Sequence, residues 1–336
     1  MSDFNGIEVS DVLGLSAPLT KLIETVSAGV GKLYEPVHVR RMAKAKSEEV
    51  KLIGESVMDA SEVPVIYQNG EVSIDSSDFD ALAKRTGQRL AFQEMRKQQN
   101  IDCVVNNAAC ELGKSEKVSE NPVDQDWVSR FFDSVANVST SDMQHLWGKI
   151  LAGEVESPGS FSLRMLDRIK NMSKKDAQLF EKIVTLTTYS GGQTFIYNDK
   201  DLWNKYDICL ADIIYLEECG LLKANDLKID SKVSATDYCE ISTKNRVMKI
   251  KSLDSALCNI EIPLYTYSEI GKELFKVINA PSNVDFFEDI ANSILKKYPN
   301  RLEISFHMVA TFRGLGKCQY YNQPIKTIAS NITSNN

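Results

Sequence analysis

A chain of 336 residues with 43% hydrophobic content is too long and too apolar for a disordered tail or a disulfide-stapled miniprotein, and it has room for two or three domains of roughly 100–200 residues each. Its net charge of −7 opposes wholesale attraction to a phosphate backbone, so nucleic-acid binding would need a local basic patch. Seven widely spaced cysteines, Cys103, Cys110, Cys209, Cys219, Cys239, Cys258 and Cys318, include no C-x-x-C pair, which argues against a disulfide framework and a zinc site and for reduced, buried thiols.

The opening MSDFNGIEVSD is acidic and lacks the basic-then-apolar order of a signal peptide, so the expected location is the cytoplasm or the inner face of the membrane. Residues 12–46 are the first element. Leu15, Leu19, Leu22, Ile23, Val26, Val30, Leu33 and Tyr34 keep helical spacing, with Lys21, Glu24 and Thr25 toward the opposite face. The charges at Lys21 and Glu24 tell against a simple transmembrane span. A basic cluster of His38, Arg40, Arg41, Lys44 and Lys46 follows, and helix plus cluster match an interfacial helix with a polybasic neighbour. The same pattern fits ordinary packing on the protein's own core or on another subunit. Pro36 should kink or end the helix, while Ser27, Ala28 and Gly31 could let another backbone approach.

Val63 to Ile74 carries Asn69-Gly70 between two short β-rich runs, the signature of a type I′ hairpin. A long helix is expected from about Ser77 to Leu112, with Phe79, Leu82, Leu90, Phe92, Met95, Ile101, Val104, Val105, Ala108 and Leu112 as its apolar positions and a break or partner contact at Glu94–Asn100. Asp102, Asn106 and Asn107 share a side of it, without a second carboxylate at ligand spacing. A polar linker, GKSEKVSENPV, leads to Asp124 or Asp126 as the cap of a helix bearing Trp127, Phe131, Phe132 and Val135.

Ser139 to Ile183 reads as three short helices. In the first, Met143, Leu146, Trp147, Ile150 and Leu151 form a buried stripe, Ser141 with Gln144 makes a capping box, and Gly153 with Pro158-Gly159 ends it. Ser160 caps the second helix, carrying Phe161, Met165, Leu166, Ile169 and Met172. Ser173 caps the third, with Ala177, Phe180 and Val184.

The segments LWGKILAGEV and PGSFSLRMLDRIKNMS, together with GKLYEPVHVRRMAKA near the N-terminus, resemble a bacterial family called domain of unknown function 2806 over most of the chain. More loosely, LWGKILA followed by a proline loop, a Leu-Asp helix and Ser-x-x-Asp-Ala resembles the abortive-infection alpha proteins. That second resemblance implies a role in phage resistance.

After Tyr189, Ser190-Gly191-Gly192 makes a turn, QTFIYND a short strand, and DICLADIIYLEECGLLKAN a helix. Strands Tyr238–Ser242 and Val247–Ser252, a further strand Leu257–Tyr267 and the closing helix YSEIGKELFKVI complete an order that resembles a winged helix. The groove-entering helix would carry Asp212, Glu217 and Glu218 and no basic residue, which opposes DNA binding, whereas Lys244, Arg246, Lys249 and Lys251 of the wing could meet a backbone. Asn283 caps a helix that closes at Pro299. LEISFHMVATF then alternates as Leu302, Ile304, Phe306, Met308 and Ala310, and CQYYNQPIKTI returns as its hairpin partner across Arg313-Gly314-Leu315-Gly316.

His38, His145 and His307 are far apart, and no metal, nucleophile-elbow or nucleotide-loop motif occurs, so neither catalytic residue, cofactor nor metal is expected. The fold expected is mainly α with a smaller α+β part: an amphipathic arm (1–60), a long helix and linker (61–123), a compact helical core (124–189) that contains the three-helix segment, a winged-helix-like domain (190–280), and a helix plus β-hairpin (281–336). The function expected is that of a non-enzymatic interaction protein, of the phage-defence kind that the resemblance implies. Its arm would meet the inner membrane, a partner protein or a second copy. The alternative is a winged-helix DNA-binding regulator.

Overall fold

The computed structural model describes residues 16–30, 65–68, 71–74 and 79–329, apart from 116, 117, 256, 279 and 315. Leu15, Leu33, Tyr34, Pro36, His38, Arg40, Arg41, Lys44 and Lys46 of the arm lie outside the described residues, as do Asn69, Gly70 and the tail beyond Ala329. The chain divides into two compact units, Met1–Leu166 and Asp167–Asn336. The three helices expected together within 124–189 fall on both sides of that division.

The first unit holds α1 (Ala17–Val30), the hairpin β1 (Val65–Gln68) and β2 (Glu71–Ile74), α2 (Phe79–Leu112), α3 (Gln125–Val135), α4 (Ser141–Glu156) and the start of α5 (Leu163–Lys170). Helix α2 runs unbroken through Glu94–Asn100, where a break or a partner contact was expected. Gln98 donates to Asp102 at 2.9 Å and Lys97 pairs with Glu94 at 2.6 Å, contacts at i+4 and i+3 that suit a continuous helix. Among its described residues the second half is the enclosed part, through Ile101, Val104, Val105, Ala108 and Leu112. In α3, Trp127 and Phe131 stack with ring centres 4.9 Å apart, and Trp147 of α4 meets Phe131 edge-on at 5.4 Å.

The helix ends follow side-chain chemistry closely, though not always at the expected residue. The Asp124 carboxylate caps α3 by accepting the Trp127 N–H at 2.9 Å. For α4 the Ser141–Gln144 box does not form, because Thr140 is the N-cap residue and the Gln144 amide turns inward to donate to the Val138 carbonyl at 2.9 Å. Gly153 does not stop α4, which runs on to Glu156; it makes room for a ring, since a Cβ there would stand 2.9 Å from Cε2 of Phe161. Helix α5 is capped by Ser162 instead of Ser160: the Ser162 hydroxyl accepts the Met165 N–H at 3.2 Å.

The second unit holds α6 (Lys174–Thr185), β3 (Thr187–Ser190), β4 (Gln193–Tyr197), α7 (Lys200–Lys205), α8 (Leu210–Glu218), β5 (Leu222–Val233), β6 (Cys239–Ser242), β7 (Arg246–Ser252), β8 (Cys258–Tyr267), α9 (Glu269–Val277), α10 (Val284–Lys297), β9 (Leu302–Phe312), β10 (Cys318–Tyr320) and β11 (Lys326–Ala329). Its strands make one antiparallel sheet in the order β10-β9-β7-β6-β3-β4-β8-β5, with β11 also paired to β9. The fold is therefore mixed α and β, with a larger sheet than expected. The stretch read as the tail of the α8 helix is strand β5, because Gly220 takes φ +72° and stops the helix, and residues 222–233 then pair along β8. Ser173 and Asp176 form a capping box at α6, and the Asn283 side chain caps α10 by accepting the Phe286 N–H at 3.0 Å. Leu302, Ile304 and Phe306 of β9 are buried on the face where Phe287 of α10 meets Phe306 at 6.1 Å. The alternation does not extend to Met308 and Ala310, which are exposed; pairing of β9 with β7 stops at Met308, so that end of the strand leaves the helix-covered layer.

Candidate functional site

Two regions carry side chains that core packing does not fully use. The first is the face of the sheet opposite Phe306. Register places Glu240 of β6, Lys249 of β7 and Ser305 of β9 side by side, and His307 shares their face two residues on. The Lys249 ammonium lies 4.6 Å from the Tyr238 ring centre and 4.7 Å from that of Tyr320, and Lys251 lies 5.8 Å from Tyr238. The Tyr320 hydroxyl donates to the Glu240 carboxylate. Burial, then the bond to Glu240 and the nearby Tyr238 hydroxyl, push the Tyr320 phenol well above its ordinary range, so it remains a donor. The buried His307 ring has Nε2 3.0 Å from the Ser305 hydroxyl and Nδ1 3.0 Å from the Tyr321 carbonyl. A carbonyl only accepts, so Nδ1 carries the proton in the neutral ring and Nε2 is left to accept from Ser305. This cluster holds a cation between two rings and next to a carboxylate. It fixes the β9–β10 hairpin to the sheet.

Of the four wing residues proposed to meet nucleic acid, the sheet brings only Lys249 and Lys251 onto this face. The Lys244 ammonium donates to the Ala280 carbonyl at 3.0 Å, and burial lowers its pKa. Arg246 stands opposite Met308, one register position off the Lys249 side. The four therefore make no single basic patch.

The second region is the helical unit's α1 and α2. Leu22 and Val26 of α1 are closed inside their own unit and are not available to an outside partner. Gly29 packs against α3, where a Cβ would stand 2.2 Å from Cδ2 of Phe132. Thr25, expected on the outer face, is buried as well and donates to the Lys21 carbonyl at 2.9 Å. The Lys21 ammonium donates to the carbonyls of Ser119 and Asn121, and its burial lowers its pKa against the pull of Glu24. Leu19, Ile23 and Val30 stay half-buried at the rim.

Along α2 the first half carries Leu82, Leu90, Phe92 and Met95, all between 40% and 48% exposed. Helical periodicity marked them as apolar positions without showing that their neighbours end near Asn100. The available signal was compositional, since Lys84, Arg85, Arg89, Arg96 and Lys97 crowd the same stretch with Glu94 as the only acid between 82 and 99.

Among the described residues, no group of three or more His, Cys, Asp or Glu side chains could hold a metal ion, and no helix is long and apolar enough to cross a membrane. A family model described as protein of unknown function (DUF2806) matches residues 84–291. No curated protein and no solved structure matches the chain.

Proposed function

The chain belongs to the DUF2806 family, and from that premise we propose that it is a non-enzymatic interaction protein of the abortive-infection kind, working peripherally at the inner membrane or on a partner protein through its leading arm. The observation that carries this reading is the partial closure of α1. Leu22, Val26 and Gly29 anchor the helix to its unit, while Leu19, Ile23 and Val30 remain at its rim. A fixed base with an apolar rim, followed in sequence by Arg40, Arg41, Lys44 and Lys46, suits an element that engages something outside its own unit. Phage plating on cells with and without expression tests it. Expression should lower plating efficiency, and the quadruple change R40E/R41E/K44E/K46E should restore it; equal plating in all three strains would remove the proposal.

The second reading is a winged-helix regulator that meets nucleic acid through Lys244, Arg246, Lys249 and Lys251. What supports it is a β6–β7 hairpin later in the chain than α8, with β5 between them. The Lys244 ammonium already donates to the Ala280 carbonyl. A mobility-shift assay at low salt with wild type and K244E/R246E decides: no shift at any concentration ends this reading.

A further inference from the structure

We infer that the outward face of the first half of α2 binds an anionic lipid surface. Phe92 lies across the helix from Ile101, Val105 and Ala108, which are buried, and Met95 shares its side at i+3. Lys84 flanks this pair on one side, and Arg89 and Arg96 flank it on the other; all three are exposed. Glu94 points to the other side of the helix and is paired with Lys97 at 2.6 Å, so the outward face carries no acid between residues 82 and 99. Residues 84–97 hold five basic side chains against one acidic one, net +4 within a chain of −7. Local charge and global charge thus have opposite signs, and the positive region coincides with the exposed large apolar side chains found among the described residues of the unit.

That combination selects the partner. A phosphate backbone would satisfy Arg89 and Arg96 but leave Phe92 and Met95 in water. A second copy of the same face would set arginine against arginine. The headgroup layer of an anionic bilayer accepts both kinds of side chain: rings and thioethers enter the acyl boundary while Lys and Arg stems lie along it and keep their charges among the phosphates. This rests on the membrane branch of the reading above but uses different residues, so the two can fail separately.

Flotation of the full chain with phosphatidylcholine vesicles, with or without phosphatidylglycerol, tests it. The protein should float only with the anionic vesicles, and less at high salt, because a Debye screen weakens the charge term. R89E/R96E and F92S/M95S should each cut the floating fraction by about tenfold, while their melting curves match wild type because these side chains are exposed. Loss of flotation in R40E/R41E/K44E alone would overturn this inference and leave the arm standing. No flotation with either vesicle, or binding to duplex DNA in its place, would also overturn it.

Discussion

Gly148 of α4 lies so close to Asn107 of α2 that a Cβ on the glycine would stand 2.4 Å from the Asn107 Cβ, with the Ala108 nitrogen only 3.0 Å away. Two helix backbones meet there, next to the fully buried Trp147, Ile150 and Leu151. A methyl group at 148 must push the helices apart and loosen that layer. Gly148→Ala should lower stability by about 1–3 kcal/mol. Gly87, on the same α2, meets nothing within 4 Å, so Gly87→Ala should be neutral or stabilising by up to about 1 kcal/mol. Thermal melts of the two variants measure this, and equal losses would show that the helix crossing is not the constraint.

Asp176 gives α6 a pH dependence whose sign is fixed. Burial works to raise its carboxyl pKa, but hydrogen bonds from Ser173 and Tyr215 and the charge of Lys175 outweigh burial and leave it below the ordinary carboxylate value. A depressed folded pKa adds stability that is complete above the unfolded value and lost as pH falls through the lower folded value. Asp176→Asn should therefore melt below wild type at neutral pH, with the gap closing as the medium becomes strongly acidic. Ser173→Ala removes the reciprocal cap and should cost about 0.5–2 kcal/mol at neutral pH. A gap that widens toward acid would contradict the assignment.

The caps at Asp124, Ser173 and Asn283 were legible because a cap is a local event, settled within three residues of sequence. The β1–β2 pairing and the extent of α2 were legible for the same reason: turn chemistry and a 3.6-residue period are both short-range. Strand β5 was not. Its sequence LKANDLKIDSKV has no clean alternation, and what makes it a strand is nine register partners on β8, 25 or more residues away. The Tyr238, Glu240, Lys249, His307 and Tyr320 cluster was illegible for a related reason, since it joins four separate segments whose pairing no local pattern encodes. The exposed apolar side chains of α2 lie between these cases. Their spacing was visible, but whether another helix covers them is a tertiary fact.

Glu154 is a buried carboxylate on α4, accepting the Gly159 N–H at 2.5 Å and the Phe161 N–H at 3.0 Å. It holds the Pro158-Gly159 loop against the helix it follows, the job that the sequence assigned to turn residues alone. Glu154→Ala strands two backbone donors and should cost about 1.5–3 kcal/mol. Glu154→Gln keeps an acceptor and should retain part of the loss. Denaturant titration would show the order wild type, Gln, Ala; Gln falling to the level of Ala would mean that the charge, and not the acceptor, holds the loop.

Tyr320 ties a sheet edge to the sheet's interior. Strand β10 pairs with β9, and the Tyr320 ring reaches back over Lys249 and within 5.6 Å of the His307 ring to bond Glu240 on β6. Tyr320→Phe removes only the hydroxyl and should cost about 1 kcal/mol; Tyr320→Ala also removes the ring that shields Lys249. Hydrogen exchange should then speed up at Cys318–Tyr320 before it changes along β5 and β8, because an edge strand can open without the rest. The raised phenol pKa adds a second signature. Above the ordinary tyrosine range the unfolded chain releases that proton first, so wild-type stability falls with rising pH and the Tyr320→Phe variant should fall less steeply. Uniform acceleration of exchange across the sheet, or parallel alkaline slopes, would show that Tyr320 acts as ordinary packing and not as the link between edge and interior.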